Sequence, residues 1–191
     1  MAGVFVLAEH RRGELREITL EMLAKGRELA GSLGTGLSCL LLGHGVEDFA
    51  ERLKCWAERV LIVDDPRLEN FNSDSYQEVL SELISERRPS ITLIGHTGFG
   101  MDLAPSLAAA CDLPLITDCV GLELTNGRLV ATRQTYGGKV TALVSFKEGG
   151  NGITTVRQGA FKAQGSELKG EIVRLQSPLS GEPEREKFIE Y

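Results

Sequence analysis

Three groups of residues have types and spacings that could do chemistry. The first is the run Ile94–Gly–His–Thr–Gly–Phe–Gly–Met–Asp–Leu–Ala–Pro–Ser–Leu107, an apolar segment joined to a helix through a glycine loop. Backbone amides around Gly98 and Gly100, with a helix amino terminus behind them, could cradle a phosphate, because unpaired N–H groups and the helix dipole favour anions. The structural reading has the same glycines simply turning the chain, with Asp102 capping the helix and Pro105 in its first turn, where a missing amide costs nothing. Asp102 would then set a negative charge where a phosphate would sit, which favours the structural reading. The second group is His10, His44 and His96, each just beyond the end of an apolar run. If those runs are neighbouring strands about 4.8 Å apart, three imidazoles could converge on one edge and hold a divalent ion. The alternative is that loops at such an edge are polar and accept any hydrogen-bonding residue. The third group is Arg133, Tyr136, Lys139 and Arg157. On a shared face these could offer a cationic and aromatic patch to a carboxylate or a partner subunit, or they could form a solvated face whose Arg stems cover apolar neighbours. Nucleophilic catalysis has no support: there is no Gly-x-Ser-x-Gly elbow, no Walker loop, and no GxGxxG after a strand. Asp64–Asp65, followed by Pro66, reads as a turn. The chain is expected not to be an enzyme.

These groups need elements to position them. Val4–Ala8, Leu37–Leu42, Val60–Val63 and Ile91–Ile94 are near-continuous apolar runs, the pattern of strands covered on both faces. Between them Ile18, Met22, Leu29 and Leu33, then Val46, Phe49, Leu53 and Trp56, then Val79, Leu80, Leu83 and Ile84 within Ser75–Arg87, recur at helical spacing. Trp56 reads as core. Strand and helix in alternation mean right-handed crossovers and a parallel sheet, α/β in class. After Pro114, Cys119–Thr125 and Leu129–Tyr136 flank Asn126–Gly127, the strongest short hairpin signal, and Gly137–Gly138 turns the chain back into Val140–Phe146. Ile153–Arg157 adds a further short strand, so the carboxyl-terminal portion reads as an antiparallel extension of a doubly wound core. From Ser166 charge crowds in. Ile172, Val173 and Leu175 could add a strand or pack as a strap, and Glu182–Tyr191 reads as an exposed linker or arm. The division expected is a folded domain over residues 1–165 and a charged strap or linker over 166–191.

Composition narrows the function classes. The 191 residues are 42% hydrophobic and 25% charged, with net charge −6 and pI near 5.2. An acidic chain of this kind does not suggest nucleic acid or an anionic membrane surface as a partner. Cys39, Cys55, Cys111 and Cys119 have no CxxC spacing and read as reduced, mostly buried thiols. No secretory segment or membrane-spanning stretch is visible, and a cytoplasmic location is expected.

Three blocks in order, Ile94–Leu107, Arg128–Leu–Val–Ala–Thr–Arg–Gln–Thr–Tyr–Gly–Gly–Lys139 and Thr154–Thr–Val–Arg–Gln–Gly–Ala–Phe161, resemble the amino-terminal domain of the electron transfer flavoprotein alpha subunit, as does Ala8–Glu9–His10. The resemblance runs from Val4 to about Phe161. It implies a Rossmann-like three-layer sandwich of the adenine nucleotide alpha hydrolase-like type. It also implies a beta subunit as partner, and a flavin domain carrying FAD in the complete protein, with no cofactor expected in this chain alone. Electrons would pass from dehydrogenases to a quinone reductase or related acceptor. In the family's beta subunit the loop matching His96–Leu107 helps hold an adenine nucleotide; the alpha version is not expected to. Arg133, Tyr136, Lys139 and Arg157 become candidate subunit or flavin-domain contacts. The rival reading is a small-molecule site at the carboxyl edge of the sheet: an adenine-nucleotide module resembling universal stress proteins, or a metal site at His10, His44 and His96.

Overall fold

The apolar runs become parallel strands because their alternate side chains must be buried on opposite faces at once. The computed structural model describes residues 3–147 and 150–180; Glu182–Tyr191 lies outside the described residues. In chain order the elements are β1 (Val4–Leu7), β2 (His10–Arg11), β3 (Glu14–Leu15), α1 (Glu17–Leu33), β4 (Leu37–Gly43), α2 (Glu47–Leu53), β5 (Arg59–Asp64), a 3₁₀ turn (Pro66–Leu68), α3 (Ser73–Arg87), β6 (Ile91–Gly95), α4 (Gly98–Ala110), β7 (Leu115–Thr125), β8 (Arg128–Thr135), β9 (Val140–Ser145), β10 (Gly152–Val156) and β11 (Glu171–Arg174). Nine strands form one sheet in the order β11-β5-β4-β1-β6-β10-β7-β8-β9, and β2 and β3 make a separate two-stranded hairpin. Every neighbouring pair from β11 to β7 is parallel, and only β7–β8 and β8–β9 are antiparallel.

Two buried layers flank the sheet. Val4, Val6, Cys39, Leu41, Val60, Ile62 and Leu93 face α1 and α2, while Phe5, Leu7, Leu40, Leu42, Leu61, Val63 and Ile94 face α3 and α4. This is the Rossmann-like three-layer sandwich expected, its parallel core extended by antiparallel strands. Among the described residues no helix is long and apolar enough to cross a membrane.

Several local expectations need correcting. The helix of the glycine loop starts at Gly98, not near Asp102: the Thr97 Oγ1 accepts the Gly100 N–H at 3.3 Å and caps α4. Asp102 is therefore an exposed residue of the second turn, and Pro105 lies inside the helix rather than in its first turn. The strand at Ile153–Arg157 is no antiparallel addition. As β10 it inserts parallel between β6 and β7, near the centre of the sheet, with Thr154 and Thr155 buried. Cys55 is exposed, unlike Cys39 and Cys119, and Trp56 is partly buried at the rim of the core, beyond the end of α2.

Two features act at the ends of the sheet. Asn126 and Gly127 both take positive φ, 52° and 76°, so the hairpin turn forms as its residues require. At the far edge the strap becomes β11. Its start is tied by the Gly170 N–H to the Lys54 carbonyl and by the Glu171 N–H to the Glu58 carbonyl, and Ile172 registers with Val60.

Candidate functional site

The chain leaves β1 for β4 on one side and returns in β6 on the other, so the sheet order reverses between β1 and β6. In open α/β sheets that reversal opens a crevice at the carboxyl ends of the strands, the usual place for a ligand. Here the crevice is a cavity of about 520 Å³ lined by Glu9, Arg16, His96, Gly98, Phe99 and Gln158, among others. A second cavity, about 380 Å³, lies toward β4 and β5 and includes His10, His44 and Tyr76.

Glu9 and Thr97 join the two sides of the crevice. The Thr97 hydroxyl donates to Glu9 Oε2 at 2.8 Å while its oxygen accepts from the Gly100 amide. Burial pushes the Glu9 carboxyl above its ordinary value, opposed by the Thr97 hydrogen bond and by Arg16 and Arg11. Thr19 completes the seat by accepting the Glu9 N–H at 2.8 Å.

The two candidate glycines part company. A Cβ on Gly100 would lie 1.8 Å from the Gly95 carbonyl oxygen and 2.9 Å from Ile94 Cγ2, so this residue exists to let α4 start flush against β6. A Cβ on Gly98 would meet nothing within 4 Å, and Gly98 lines the cavity. Asp102 takes no part in that lining.

The histidines are each engaged separately. His10 Nε2 lies 2.7 Å from the Leu42 carbonyl, which can only accept, so this nitrogen carries the proton; the ring packs against Phe49. His44 Nδ1 lies 3.1 Å from Asp64 Oδ1, and the same carboxylate accepts the Gly45 and Val46 amides. His96 Nδ1 is 2.9 Å from Thr155 Oγ1, and its Nε2 is 3.8 Å from Asp118 Oδ1. The three rings do not converge, and among the described residues no group of three or more His, Cys, Asp or Glu side chains could hold a metal ion.

Arg133 and Arg157, by contrast, are brought together, around a residue that sequence reasoning passed over. Asp118 sits in the middle of β7 with φ +58°, and the register slips in both ladders beside it. A non-glycine residue in the left-handed region inside a strand is uncommon and bends the chain. Residues 115–119 pair with β10, and 119–125 pair with β8. The Arg157 guanidinium grips the carboxylate with two bonds, Nε to Oδ1 at 2.8 Å and Nη2 to Oδ2 at 2.7 Å, and reaches Gln134 through Nη1. The Arg157 bond chiefly, with His96 and Arg133 adding, holds the Asp118 carboxyl below its ordinary range. Arg133 donates Nη2 to Thr117 Oγ1 at 3.1 Å, while its buried Nε has no hydrogen-bond acceptor. The signal for Asp118 was present: it is a charge interrupting the apolar run Leu115–Val120.

Tyr136 and Lys139 lie in the turn between β8 and β9, both exposed, with Tyr136 at φ 51° followed by Gly137 and Gly138 also at positive φ. Four candidates thus form two pairs: a clamped pair of arginines at Asp118, and an exposed pair at the ribbon tip.

A flavin dinucleotide does not fit the described crevice. Thr97 already occupies the Gly100 amide, and the Glu9 carboxyl stands beside the Gly98 end of the helix, where a diphosphate would need to lie.

Comparison with known proteins gives a consistent result. Residues 4–180 match the electron transfer flavoprotein domain family. The protein FixB of Clostridium saccharobutylicum is 37% identical over 193 residues, covering 98% of this chain and 57% of that protein. The electron transfer flavoprotein subunit alpha of Clostridium acetobutylicum is 40% identical over 163 residues, 84% of this chain and 48% of the relative. The lactate dehydrogenase (NAD(+),ferredoxin) subunit LctC of Acetobacterium woodii is 34% identical over 163 residues, 84% of this chain and 39% of the relative. The chain spans about half the length of these curated relatives and matches their amino-terminal portion.

Proposed function

The chain belongs to the electron transfer flavoprotein domain family, and from that premise we propose that it is the scaffold domain of an alpha subunit. In this reading it docks a beta subunit and supports an FAD-bearing domain, so that electrons pass between dehydrogenases and an acceptor such as a quinone reductase. It is an electron-carrier component, not an enzyme, and works in the cytoplasm. FAD belongs to the complete protein and supplies the redox chemistry when bound; this chain contributes orientation and docking. Residues 1–165 act as the pedestal and 166–191 as the strap leading toward the flavin domain.

The observation that carries the reading is the contrast within the four candidate contacts. Arg157 and Arg133 are fixed by Asp118 and Thr117, so they cost little further side-chain entropy on binding. Tyr136 and Lys139 are exposed at the ribbon tip, farther along the same ribbon as Arg133, and an exposed Tyr with fixed Arg groups on one side of a domain is the composition of an interface anchor. The test is titration calorimetry with the beta subunit. Replacing Tyr136 with Ala and Lys139 with Glu together should weaken binding at least tenfold while leaving the melting temperature unchanged. Unaltered affinity would remove this surface from the interface.

A second reading rests on the 520 Å³ crevice with its open Gly98 end: a small-molecule site for an adenine nucleotide of the universal-stress kind. Asp102 stands outside the cavity, so its charge does not oppose an anion there, but the Glu9 carboxyl and the Thr97 cap at the Gly98 end do, and a nucleotide would have to seat its phosphates away from them. Thermal-shift measurements with ATP, AMP and divalent metal ions decide it, since anything that binds the folded state raises apparent stability. No shift at concentrations far above plausible affinities leaves the scaffold reading alone.

A further inference from the structure

Between β10, near the centre of the sheet, and β11, at its edge, the chain crosses the outside of α1. Glu21 fastens the start of the crossing. Its buried carboxylate accepts the Gly159 N–H at 2.8 Å and the Phe161 N–H at 3.5 Å, with Gly159 at φ 78°. Helix α1 turns Met22, Leu23, Gly26, Leu29 and Ala30 inward, which leaves Ala24, Lys25, Arg27 and Glu28 on its outer flank. Between that flank and residues 160–164 lies a cavity of about 470 Å³, within the size range of ligand sites. It shares no lining residue with either cavity at the carboxyl edge of the sheet.

The walls of this cavity are cationic. Lys25, Arg27 and Lys162 stand against one carboxylate, Glu28, a net +2 within a chain of net −6. Lys25 is already engaged: its side chain is 11% exposed, with Nζ 2.8 Å from Glu28 Oε1 and 5.4 Å from the centre of the Phe161 ring. Arg27 is not. A guanidinium carries five N–H donors, and among the described residues this one makes a single hydrogen bond, from Nη2 to the Gln164 carbonyl at 3.2 Å. Its buried Nη1 has no acceptor. A buried donor without an acceptor is destabilising, and more so on a charged group, so the arrangement favours an entering group that brings oxygens and negative charge. We propose that the cavity is a phosphate site, for the free anion or a small monoester, held by Arg27 and Lys162. Neither of these two has a carboxylate partner among the described residues. Together they match a phosphate that carries close to two negative charges, whereas a carboxylate would leave one of them unmatched. A guanidinium also takes phosphate oxygens through two parallel bonds.

NMR titration of this chain with sodium phosphate and, separately, with methyl phosphate, at constant ionic strength, tests it. Each should move the Phe161 and Lys162 amide signals and the Arg27 side-chain N–H signal along one saturable curve. Lys162→Ala, at an exposed position, and Arg27→Gln should each weaken binding by about tenfold or more, the loss expected for one hydrogen bond to a charged group. The melting temperature of the Lys162→Ala chain should be preserved. Tighter binding of methyl phosphate names an ester as the ligand, and equal or weaker binding names the free anion; either result supports the site. Signals that stay put, or that drift without saturating, overturn it. Saturable binding that survives both substitutions overturns it too, because the phosphate would then sit elsewhere. Sodium acetate binding as tightly as phosphate would overturn the choice of ligand.

Discussion

Strands β4 and β9 belong to one sheet and share a strongly apolar composition, yet they live under opposite conditions. All seven residues of β4 are buried, sandwiched between α1 and α2 on one face and α3 and α4 on the other. In β9 four of six residues are exposed, although they include Val140 and Leu143. The same residue types therefore stabilise the fold in one place and remain available in the other. The boundary between the two regimes is Asp118. There β7 leaves the parallel ladder with β10 and enters the antiparallel one with β8, and the Arg157 clamp holds the bend.

The largest expected difference separates two leucines. Leu41→Ala, which opens a cavity between fully packed layers, should lower stability by about 2–5 kcal/mol in chemical denaturation. Leu143→Ala should stay within about 0.5 kcal/mol of the parent. Equal losses would mean that the ribbon face is packed in solution and the contrast is false.

Next come the two glycines of α4. Gly100→Ala drives a Cβ into the Gly95 carbonyl and should cost about 1–3 kcal/mol or more. Gly98→Ala enters open space and should be neutral or mildly stabilising, because alanine restricts the unfolded chain. Similar melting temperatures for the two variants would refute the flush packing of α4 on β6.

Smallest are two carboxyl groups with opposite pH signatures. Glu9 has a folded value raised above the ordinary 4.5 by burial, so the native state is penalised as pH climbs through and beyond that value. Glu9→Gln keeps an acceptor for Thr97 and should add on the order of 1 kcal/mol near neutral pH, with the gain fading below pH 4.5. Asp118 is lowered below its ordinary 3.8 by Arg157, so its contribution is present above that value and is lost as pH falls through the folded one. Asp118→Asn, which also tolerates positive φ, should lower the neutral-pH melting temperature by a few degrees and flatten the acid side of the pH–stability curve. Denaturation across pH 3–8 distinguishes the two, and parallel curves would contradict both assignments.

The sequence carried the core well, for a physical reason: β1, β4, β5 and β6 are continuous apolar runs, and continuity signals burial on both faces. The hairpin turn was equally plain, because Asn126–Gly127 meets a demand for positive φ that few residue pairs can satisfy. Strand order was not legible. Nothing in Gly152–Val156 announces that it enters between β6 and β7, since pairing partners about 40 and 60 residues away leave no local period. The helix start was misplaced because the glycines drew attention past Thr97, whose hydroxyl does the capping. At the candidate site, residue types were readable but engagement was not: the histidines fall at the expected edge, yet each finds a different partner. Asp118 was visible only as a charge interrupting an apolar run; its role depends on a backbone conformation, φ +58°, that composition does not reveal.

The claim at the centre is that this domain is a pedestal whose ribbon side receives another subunit. Sedimentation velocity of an equimolar mixture with the beta subunit of the same organism, read at protein and flavin wavelengths, tests it most directly. The expected result is one boundary for a 1:1 complex, with no flavin absorbance travelling with the chain when it is run alone. Two independent boundaries, or a flavin that sediments with the isolated chain, would contradict it.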